Sequence, residues 1–244
     1  MKNTWYSYID TQSLILLKDE LNGLTLRHPH SAVIKRRSDE FRSSYIYNTN
    51  AMEGNPITHN DTAYIINSRM FLESYPAMSN MEVVGSNAAW DFVLTTPPLT
   101  METVLRIHKH ILFFDVDNAG LFRKIPVYVG EKQMADADKV VVETASLFDM
   151  TEPDVFRRAA LFHLRFENIH PFVDGNGRTG RMLINLHLMR EGFLPVNIKH
   201  SDAGRYYRCF RQYDIASEKG VQEMYNLITK YEYEELIGLI GALS

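Results

Sequence analysis

The amino-acid sequence predicts a mainly α-helical protein. Along most of the 244 residues, apolar side chains recur at spacings of three and four, which is the period of a helix with one buried face. Alternating β-forming residues are confined to one short region, and a hydrophobic content of 45% is ordinary for a globular chain. Helices are therefore predicted over residues 8–26, 32–53, 60–74, 80–95, 100–113, 137–149, 153–168, 177–191, 203–216 and 219–241.

Local signals support the ends of several of these helices. Gly54 and Pro56 are predicted to end the second helix, because glycine favours a left-handed cap and proline cannot continue a helix. Thr151, with Asp154 three residues later, resembles a capping pair and predicts Thr151 as the cap of the helix 153–168.

One segment departs from the helical pattern. Residues 125–130 read Ile-Pro-Val-Tyr-Val-Gly and follow the turn-like segment 115–120, which together predict a short β-hairpin flap. Pro97 and Pro98 separate two predicted helices. We therefore divide the chain into an N-terminal helical region, 1–97, and a core, 98–244.

Composition argues against several classes of partner. The formal charge is −4, from 26 basic and 30 acidic residues, so no positive field favours nucleic acid or an anionic membrane. The single cysteine, Cys209, cannot form a disulfide within the chain, which fits a reducing compartment. Residues 1–12 lack the pattern of a signal peptide, and no apolar stretch is long enough to span a bilayer. A cytoplasmic location is predicted.

The segment 170–181, which reads His-Pro-Phe-Val-Asp-Gly-Asn-Gly-Arg-Thr-Gly-Arg, carries the chemistry. Gly175 and Gly177 let main-chain amides converge, and the helix that follows points its unpaired N–H groups into the same space. Arg178 and Arg181 lie in the first turn of that helix, where cations are unfavourable unless an anion is bound among them. The pattern predicts a phosphate site.

Two further residues of this segment complete the predicted site. Asp174 is an acid among positive groups, which suggests Mg²⁺ held between the protein and phosphates. His170 precedes Pro171 and so lies at a helix end or in a loop, where it is placed to take a proton from a nucleophile. Taken one at a time, these residues are also explained by an ordinary turn with surface ion pairs.

The same residues resemble the signature of the Fic family, H-x-F-x-[DE]-G-N-G-R-x-x-R. Every specified position of the signature is met, by His170, Phe172, Asp174, Gly175, Asn176, Gly177, Arg178 and Arg181. The resemblance implies a Fic-domain helical bundle that transfers AMP from ATP, with Mg²⁺, to a Tyr, Thr or Ser hydroxyl of a protein substrate.

The resemblance also implies a role for each residue. His170 deprotonates the hydroxyl and Asp174 binds Mg²⁺. The segment Gly175, Asn176, Gly177 holds the phosphates near the α position, while Arg178 and Arg181 hold the outer ones.

Two other segments are similar to parts of the family. Gly120-Leu121-Phe122-Arg123, followed by Val127, Tyr128, Val129 and Gly130, resembles the flap that docks the target segment by strand addition. Tyr207 resembles the position that contacts the adenine end of the nucleotide. Seven residues later the chain has Asp214 where close relatives carry Asn, which puts the base preference in doubt.

Residues 49–55 match the inhibitory pattern of the family, [ST]-x-x-x-E-[GN], through Thr49, Glu53 and Gly54. Its place before the signature resembles that in class II members, which carry the inhibitory helix on their own N-terminal region. Glu53 is placed at the negative end of its helix dipole, where a cation should compensate it. We predict that Glu53 pairs with Arg181 and prevents productive ATP binding. In some relatives this glutamate also assists the removal of AMP.

The sequence leaves alternatives open. One is a non-catalytic nucleotide sensor, and another is a Fic enzyme that transfers phosphate, UMP or phosphocholine. A metal hydrolase that uses His163, His170, His187 and Asp174 is less consistent with the spacing of these residues. A homodimer fits the family. Self-modification at Tyr45, Tyr47 or Thr49 is suggested by their proximity to the inhibitory pattern alone.

Overall fold

The structure is a computed structural model that describes residues 9–244. Within this range the α-helices are α1 Thr11–Arg27, α2 Ala32–Ala51, α3 His59–Ser68, α4 Ala77–Val93, α5 Met101–Ile111, α6 Val140–Ser146, α7 Val155–Ile169, α8 Asn176–Arg190, α9 Ala203–Ile215 and α10 Ser217–Leu243. Two strands, β1 Tyr128–Val129 and β2 Lys132–Gln133, pair antiparallel with Tyr128 opposite Gln133. The predicted mainly α fold with a short hairpin is confirmed.

Helices α7 and α8 form the centre of the molecule, because each contributes to two hydrophobic cores. Ile184 and Leu188 of α8 pack into a core shared with α1, α9 and α10. Met182 and Leu183, on other faces of the same helix, pack into a second core shared with α2 to α6. A helix that is buried on nearly every side is held rigidly by its neighbours. The start of α8 is therefore a fixed platform for a site.

Several predicted helix ends differ from those in the structure. Helix α3 ends at Ser68 instead of residue 74, because Asn80 bonds the main chain of Leu72 through both its carbonyl and its amide. Helix α2 ends at Ala51, two residues early, and Glu53 lies in the turn that follows.

The predicted Thr151 cap of α7 is wrong. The cap is Asp154, whose Oδ1 accepts from the main-chain N–H groups of Phe156 and Arg157 at 2.9 and 3.0 Å. A carboxylate satisfies two unpaired donors and favours the positive end of the helix.

Within residues 9–244, no helix combines the length and the apolar character needed to cross a bilayer. The predicted lack of a signal peptide rests mainly on residues 1–8, which lie outside the described residues, as does the first residue of the predicted helix 8–26.

Candidate active site

The loop between α7 and α8 is held in shape by the first side chain of α8. Oδ1 of Asn176 accepts from the main-chain N–H of Phe172, and Nδ2 donates to the carbonyl of Phe172, both at 2.9 Å. Gly175 has a φ of 74°, a region that favours glycine. Because the Asn176 side chain is fully engaged within the loop, its main-chain N–H is the group available to a ligand.

His170 lies at the end of α7 in a left-handed conformation, with φ 51° and ψ 63°. Its Nδ1 is 3.3 Å from the main-chain oxygen of Glu167 and 3.6 Å from Oε2 of the same residue. Both neighbours are acceptors, so they favour the tautomer in which Nδ1 carries the proton. The other ring nitrogen, Nε2, is then free of a proton and able to act as a base.

Glu53 places its carboxylate at the first turn of α8. The N–H groups of this turn lack intrahelical acceptors and form the positive end of the helix. A Cβ atom added to Gly177 would collide with Oε1 of Glu53, so the absence of a side chain at Gly177 lets the carboxylate approach. The position predicted to bind phosphate is thus adjacent to an acidic side chain of the same chain.

Arg181 joins α8 to the end of α2 through three hydrogen bonds. Its Nη2 donates to Oε1 of Glu53 at 2.6 Å and to the carbonyl of Thr49 at 2.9 Å, and its Nε donates to Oγ1 of Thr49 at 2.9 Å. The Arg181 side chain is only 3% exposed. The sequence predicted this pair, and the geometry shows that Thr49 contributes its main chain as well. Gly54, with a φ of 84°, turns the chain away after Glu53.

The second side of Arg181 faces Tyr206. Nη1 of Arg181 is 3.4 Å from the Tyr206 hydroxyl, which is 2.7 Å from Nε2 of His163. Burial raises the pKa of Tyr206 well above its ordinary value, despite the opposing charge of Arg181, so the phenol is neutral. Burial and the charge of Arg181 lower the pKa of His163 to about 3, so this ring is neutral too. Because both of these side chains are neutral, the negative charge that contacts Arg181 comes from Glu53.

Arg178 and Asp174 of the signature segment contact each other. Nη1 of Arg178 donates to Oε1 of Glu82 in α4 at 3.0 Å, and Nη2 contacts Oδ2 of Asp174 at 3.2 Å. Arg178 is 1% exposed, whereas the Asp174 side chain is 67% exposed. In this structure Arg178 ties the signature segment to α4.

His108 of α5 supports the signature loop from behind, which the sequence reasoning missed. Its Nδ1 accepts from the N–H of Gly120, so its Nε2 carries the proton that is donated to the main-chain oxygen of Asp174, at 2.9 Å each. The ring stacks on Phe172 with 3.6 Å between centroids. Burial lowers the pKa of His108 to about 4, which keeps the ring neutral. His108 and His110 are two residues apart and so face different sides of α5, a pattern that predicts no shared site.

A cavity of about 670 Å³ brings most of the predicted residues together. His170, Gly177, Arg181 and Glu53 line it. Tyr207, Asp214 and the flap residues Tyr128 and Val129 line it as well. The volume is in the range of cavities that bind small molecules, and the mixture of aromatic and charged groups suits a nucleotide.

The far end of the cavity is bridged by the flap. Nζ of Lys132 in β2 lies 2.5 Å from Oδ1 of Asp214 and 2.7 Å from Oδ1 of Asn168. Tyr207 donates from its hydroxyl to the carbonyl of Met52 at 2.9 Å, so the ring is anchored to the turn that carries Glu53. Burial raises the pKa of Tyr207.

The hairpin predicted as a flap stands beside the cavity. Val127 accepts at its carbonyl from the N–H of Met134 at 3.1 Å and extends the β1–β2 pairing by one bond. Tyr128 and Val129 are both exposed. The flap therefore presents apolar side chains next to His170.

The described residues do not support the metal hydrolase. Among residues 9–244, no group of three or more His, Cys, Asp or Glu side chains could hold a metal ion. Self-modification is also restricted in this structure, because Tyr45 and Thr49 are buried, while Tyr47 is half-buried.

Comparison with known proteins agrees with these features. Residues 98–188 match the model of the Fic/DOC family. Protein adenylyltransferase fic-1 of Caenorhabditis elegans is 29% identical over 93% of this chain and 46% of its own length. Protein adenylyltransferase Fic of Nematostella vectensis is 31% identical over 84% of this chain and 51% of its own length. The chain thus spans about half the length of these curated relatives.

Solved structures show the same fold. A fragment of Fic-1 from C. elegans superposes with a TM-score of 0.80 at 28% identity, covering 95% of this chain and 70% of that one. A signaling protein with a Fic domain, from Bacteroides thetaiotaomicron, has a TM-score of 0.83 at 23% identity over 94% of this chain and 96% of that one. Residues 98–188 thus match the Fic/DOC family in sequence, and the chain shares the fold of solved Fic proteins.

Proposed function

We propose that this chain is a protein adenylyltransferase, which transfers AMP from ATP to a Tyr, Thr or Ser hydroxyl of a target protein. One observation carries the proposal: His170, with Nδ1 directed at Glu167, lines the same cavity as Gly177 and Arg181 at the positive end of α8. A base and an anion cradle thus share one cavity. The curated relatives are named for the same activity.

In the proposed reaction, Nε2 of His170 takes the proton from the target hydroxyl as its oxygen forms a bond to the α-phosphorus. The bond from the α-phosphorus to the oxygen bridging the β-phosphate breaks, and pyrophosphate leaves. The N–H groups of the first turn of α8 and the guanidinium of Arg181 stabilise the negative charge of the phosphates. The flap segment 127–129 holds the target as an added strand beside His170.

Glu53 acts in this proposal as an inhibitor. Its carboxylate contacts Gly177 and Arg181, so it competes with phosphate for the same positive groups. A bias of about 3 kcal/mol toward this arrangement would leave roughly one per cent of molecules competent to bind ATP productively. The contact of Tyr207 with Met52 ties the nucleotide cavity to the same turn.

The residues offer the one carboxylate that a Mg²⁺ ion bound to phosphates needs from a protein. Asp174 is an exposed carboxylate beside the phosphate cradle, and Mg²⁺ usually takes one or two protein carboxylates, with phosphates and waters as its other ligands. Asp174 would hold the ion, which when bound neutralises charge on the phosphates. The main chain of Asp174 is already fixed by His108.

The alternative functions predict different outcomes. A nucleotide sensor would bind ATP without transferring AMP. The presence of His170 weighs against it, because a sensor needs no base. A Fic enzyme for another group would use the same cavity with a different donor. Removal of AMP by Glu53, a homodimer, self-modification, the division at residue 97 and a cytoplasmic location stay predictions.

The test uses ATP labelled at the α-phosphate with Mg²⁺. Wild type, Glu53→Gly and the double variant Glu53→Gly with His170→Ala are incubated alone and with cell lysate. We expect label on protein with Glu53→Gly, little with wild type and none with the double variant. Glu73→Gly, at an exposed position, controls for the loss of a negative charge.

Each other outcome points to a different reading. ATP binding without label in any variant supports the sensor. Label carried only from the γ-phosphate, or only from UTP or a phosphocholine donor, supports a different transferred group. Equal labelling of wild type and Glu53→Gly excludes the inhibitory role of Glu53.

A further inference from the structure

Arg123 is a buried charge bonded to carbonyl oxygens of the main chain. Its guanidinium donates from Nε to His170 at 2.7 Å, from Nη1 to Ile125 at 2.8 Å, and from Nη2 to Ala135 and to Ile169, the last at 3.1 Å. The residue is 3% exposed. Among residues 9–244, Arg123 has no ion pair with a carboxylate.

A guanidinium buried in this way needs compensation, because a desolvated charge without a partner costs several kcal/mol. Part of this compensation comes from the place of the acceptor carbonyls in the fold. Ile169 is the last residue of α7 and His170 is its cap, so their carbonyls lie at the negative end of the helix. The main-chain N–H of Arg123 also donates to the carbonyl of Pro171 at 3.0 Å. Arg123 therefore bonds to three successive carbonyls around the catalytic residue.

These bonds hold an unfavourable backbone conformation. His170 has a positive φ of 51°, which costs a residue with a side chain about 1 kcal/mol or more. Such a conformation persists where surrounding contacts determine it. Two bonds from Arg123 to the carbonyls of Ile169 and His170 fix the peptide planes on both sides of the Cα atom of His170. The direction of the imidazole depends on those planes.

The same guanidinium holds both stems of the flap. Ile125 precedes β1 and Ala135 follows β2, so Arg123 bonds the chain where it enters the hairpin and where it leaves it. The hairpin itself has strands of two residues each, which are too short to be stable alone. The position of the flap relative to His170 is therefore set by Arg123 at its two stems, together with the bonds of Lys132.

We propose that Arg123 is a positioning residue that couples the flap to His170, so that a target hydroxyl held by the flap meets Nε2 of the base. This inference rests on the proposed function for its catalytic consequence, while the coupling itself is a property of the fold. Arg123 is not among the residues that line the cavity. A misplacement of about 1 Å between base and hydroxyl costs about 100-fold in rate, which gives the expected size of the effect.

The first measurement of the test needs no catalysis. Hydrogen–deuterium exchange is followed in the full chain for peptides covering 125–135 and 168–172. We expect Arg123→Met to raise exchange about tenfold or more in both segments together, since both lose bonds to one side chain. Arg37→Met is the matched control, because Arg37 also donates to a carbonyl, that of Gly238, far from the cavity. It should leave both segments unchanged.

The second measurement is AMP transfer in the Glu53→Gly background, with ATP labelled at the α-phosphate. We expect Arg123→Met to label protein about 100-fold more slowly, with the dissociation constant for ATP within about twofold of its parent. A structural role alone would weaken ATP binding and transfer together. If the Glu53→Gly parent labels nothing, the proposed function has failed, whereas the exchange experiment still decides the coupling.

Arg123→Lys keeps the charge but cannot reach four carbonyls, so it serves if the methionine variant does not fold. It should show raised exchange in both segments with an unfolding temperature close to that of the parent. Unchanged flap exchange in either folded variant would overturn the proposal, as would exchange that rises at 125–135 but not at 168–172. Transfer within twofold of the parent would also overturn it.

Discussion

Nη2 of Arg181 lies 2.6 Å from Oε1 of Glu53, so an acidic side chain from the turn after α2 is bonded to an arginine in the second turn of α8. The carboxylate also lies against the Cα of Gly177. A phosphate at this position would meet the same groups, and it would have to displace Glu53. In the proposed function, Glu53 and phosphate therefore compete for one position, and binding and stability measurements can test this competition separately.

The first prediction concerns the affinity for nucleotide. Glu53→Gln keeps the size of the side chain but removes the charge that competes with phosphate. We expect the dissociation constant for ATP to fall about tenfold or more, which corresponds to about 1.4 kcal/mol. Isothermal titration calorimetry at fixed salt measures it. Glu73→Gln, at an exposed position, should leave the affinity unchanged; an equal gain in both variants would indicate a general charge effect.

The second prediction isolates the contact between Glu53 and Gly177. Gly177→Ala places a methyl group against the Glu53 carboxylate, and overpacking of this kind costs about 1 to 3 kcal/mol. In the Glu53→Gly background the collision with the carboxylate is absent, and most of the cost should disappear. Denaturant unfolding of the four proteins gives the coupling energy.

Gly204→Ala is the matched control for this cycle. Gly204 also lies in the first turn of a helix, and a Cβ there would have open space. Alanine should stabilise the protein by up to about 1 kcal/mol in both backgrounds, because it forms helix better than glycine. A coupling energy near zero for Gly177 would show that Glu53 leaves the cradle in solution.

The sequence predicted those parts of the site that lie within one short segment whose residue types indicate their role without knowledge of the fold. The run from His170 to Arg181 predicted the loop, the helix start and three of the residues that line the cavity, His170, Gly177 and Arg181. Three contacts escaped prediction: those of Arg123 with His170, of His108 with Asp174 and of Arg178 with Glu82. Each joins residues more than 45 positions apart. Only packing brings these groups together.

The third prediction concerns acid stability. Burial lowers the pKa of His187 to about 3, with smaller contributions from Arg158 and Arg190. Since the unfolded chain takes up the proton near pH 6.5, it binds more protons than the folded protein below that pH, and folding stability falls as the pH falls. The loss should amount to roughly 1 kcal/mol per pH unit for this residue.

Urea unfolding of wild type and His187→Leu between pH 6.5 and 4.5 tests this prediction. The variant should lose stability less steeply with acid, because leucine takes up no proton. His28→Leu, at an exposed position, should retain the slope of wild type. Parallel slopes for His187→Leu and wild type would mean that His187 is protonated in the folded protein without penalty.

The last prediction concerns Asp214 at the far end of the cavity. Its ion pair with Lys132 is partly exposed, and such pairs contribute at most about 1 kcal/mol, so Asp214→Asn should change stability little.

The effect of Asp214→Asn on ligand binding should be larger. A carboxylate only accepts hydrogen bonds, whereas an amide also donates, and the base edge of adenine offers both an amine donor and a nitrogen acceptor. Asp214→Asn should therefore shift the ratio of GTP to ATP dissociation constants about tenfold toward ATP. Asp19→Asn, on the exposed face of α1, is the control, and an unchanged ratio in Asp214→Asn would place the base elsewhere in the cavity.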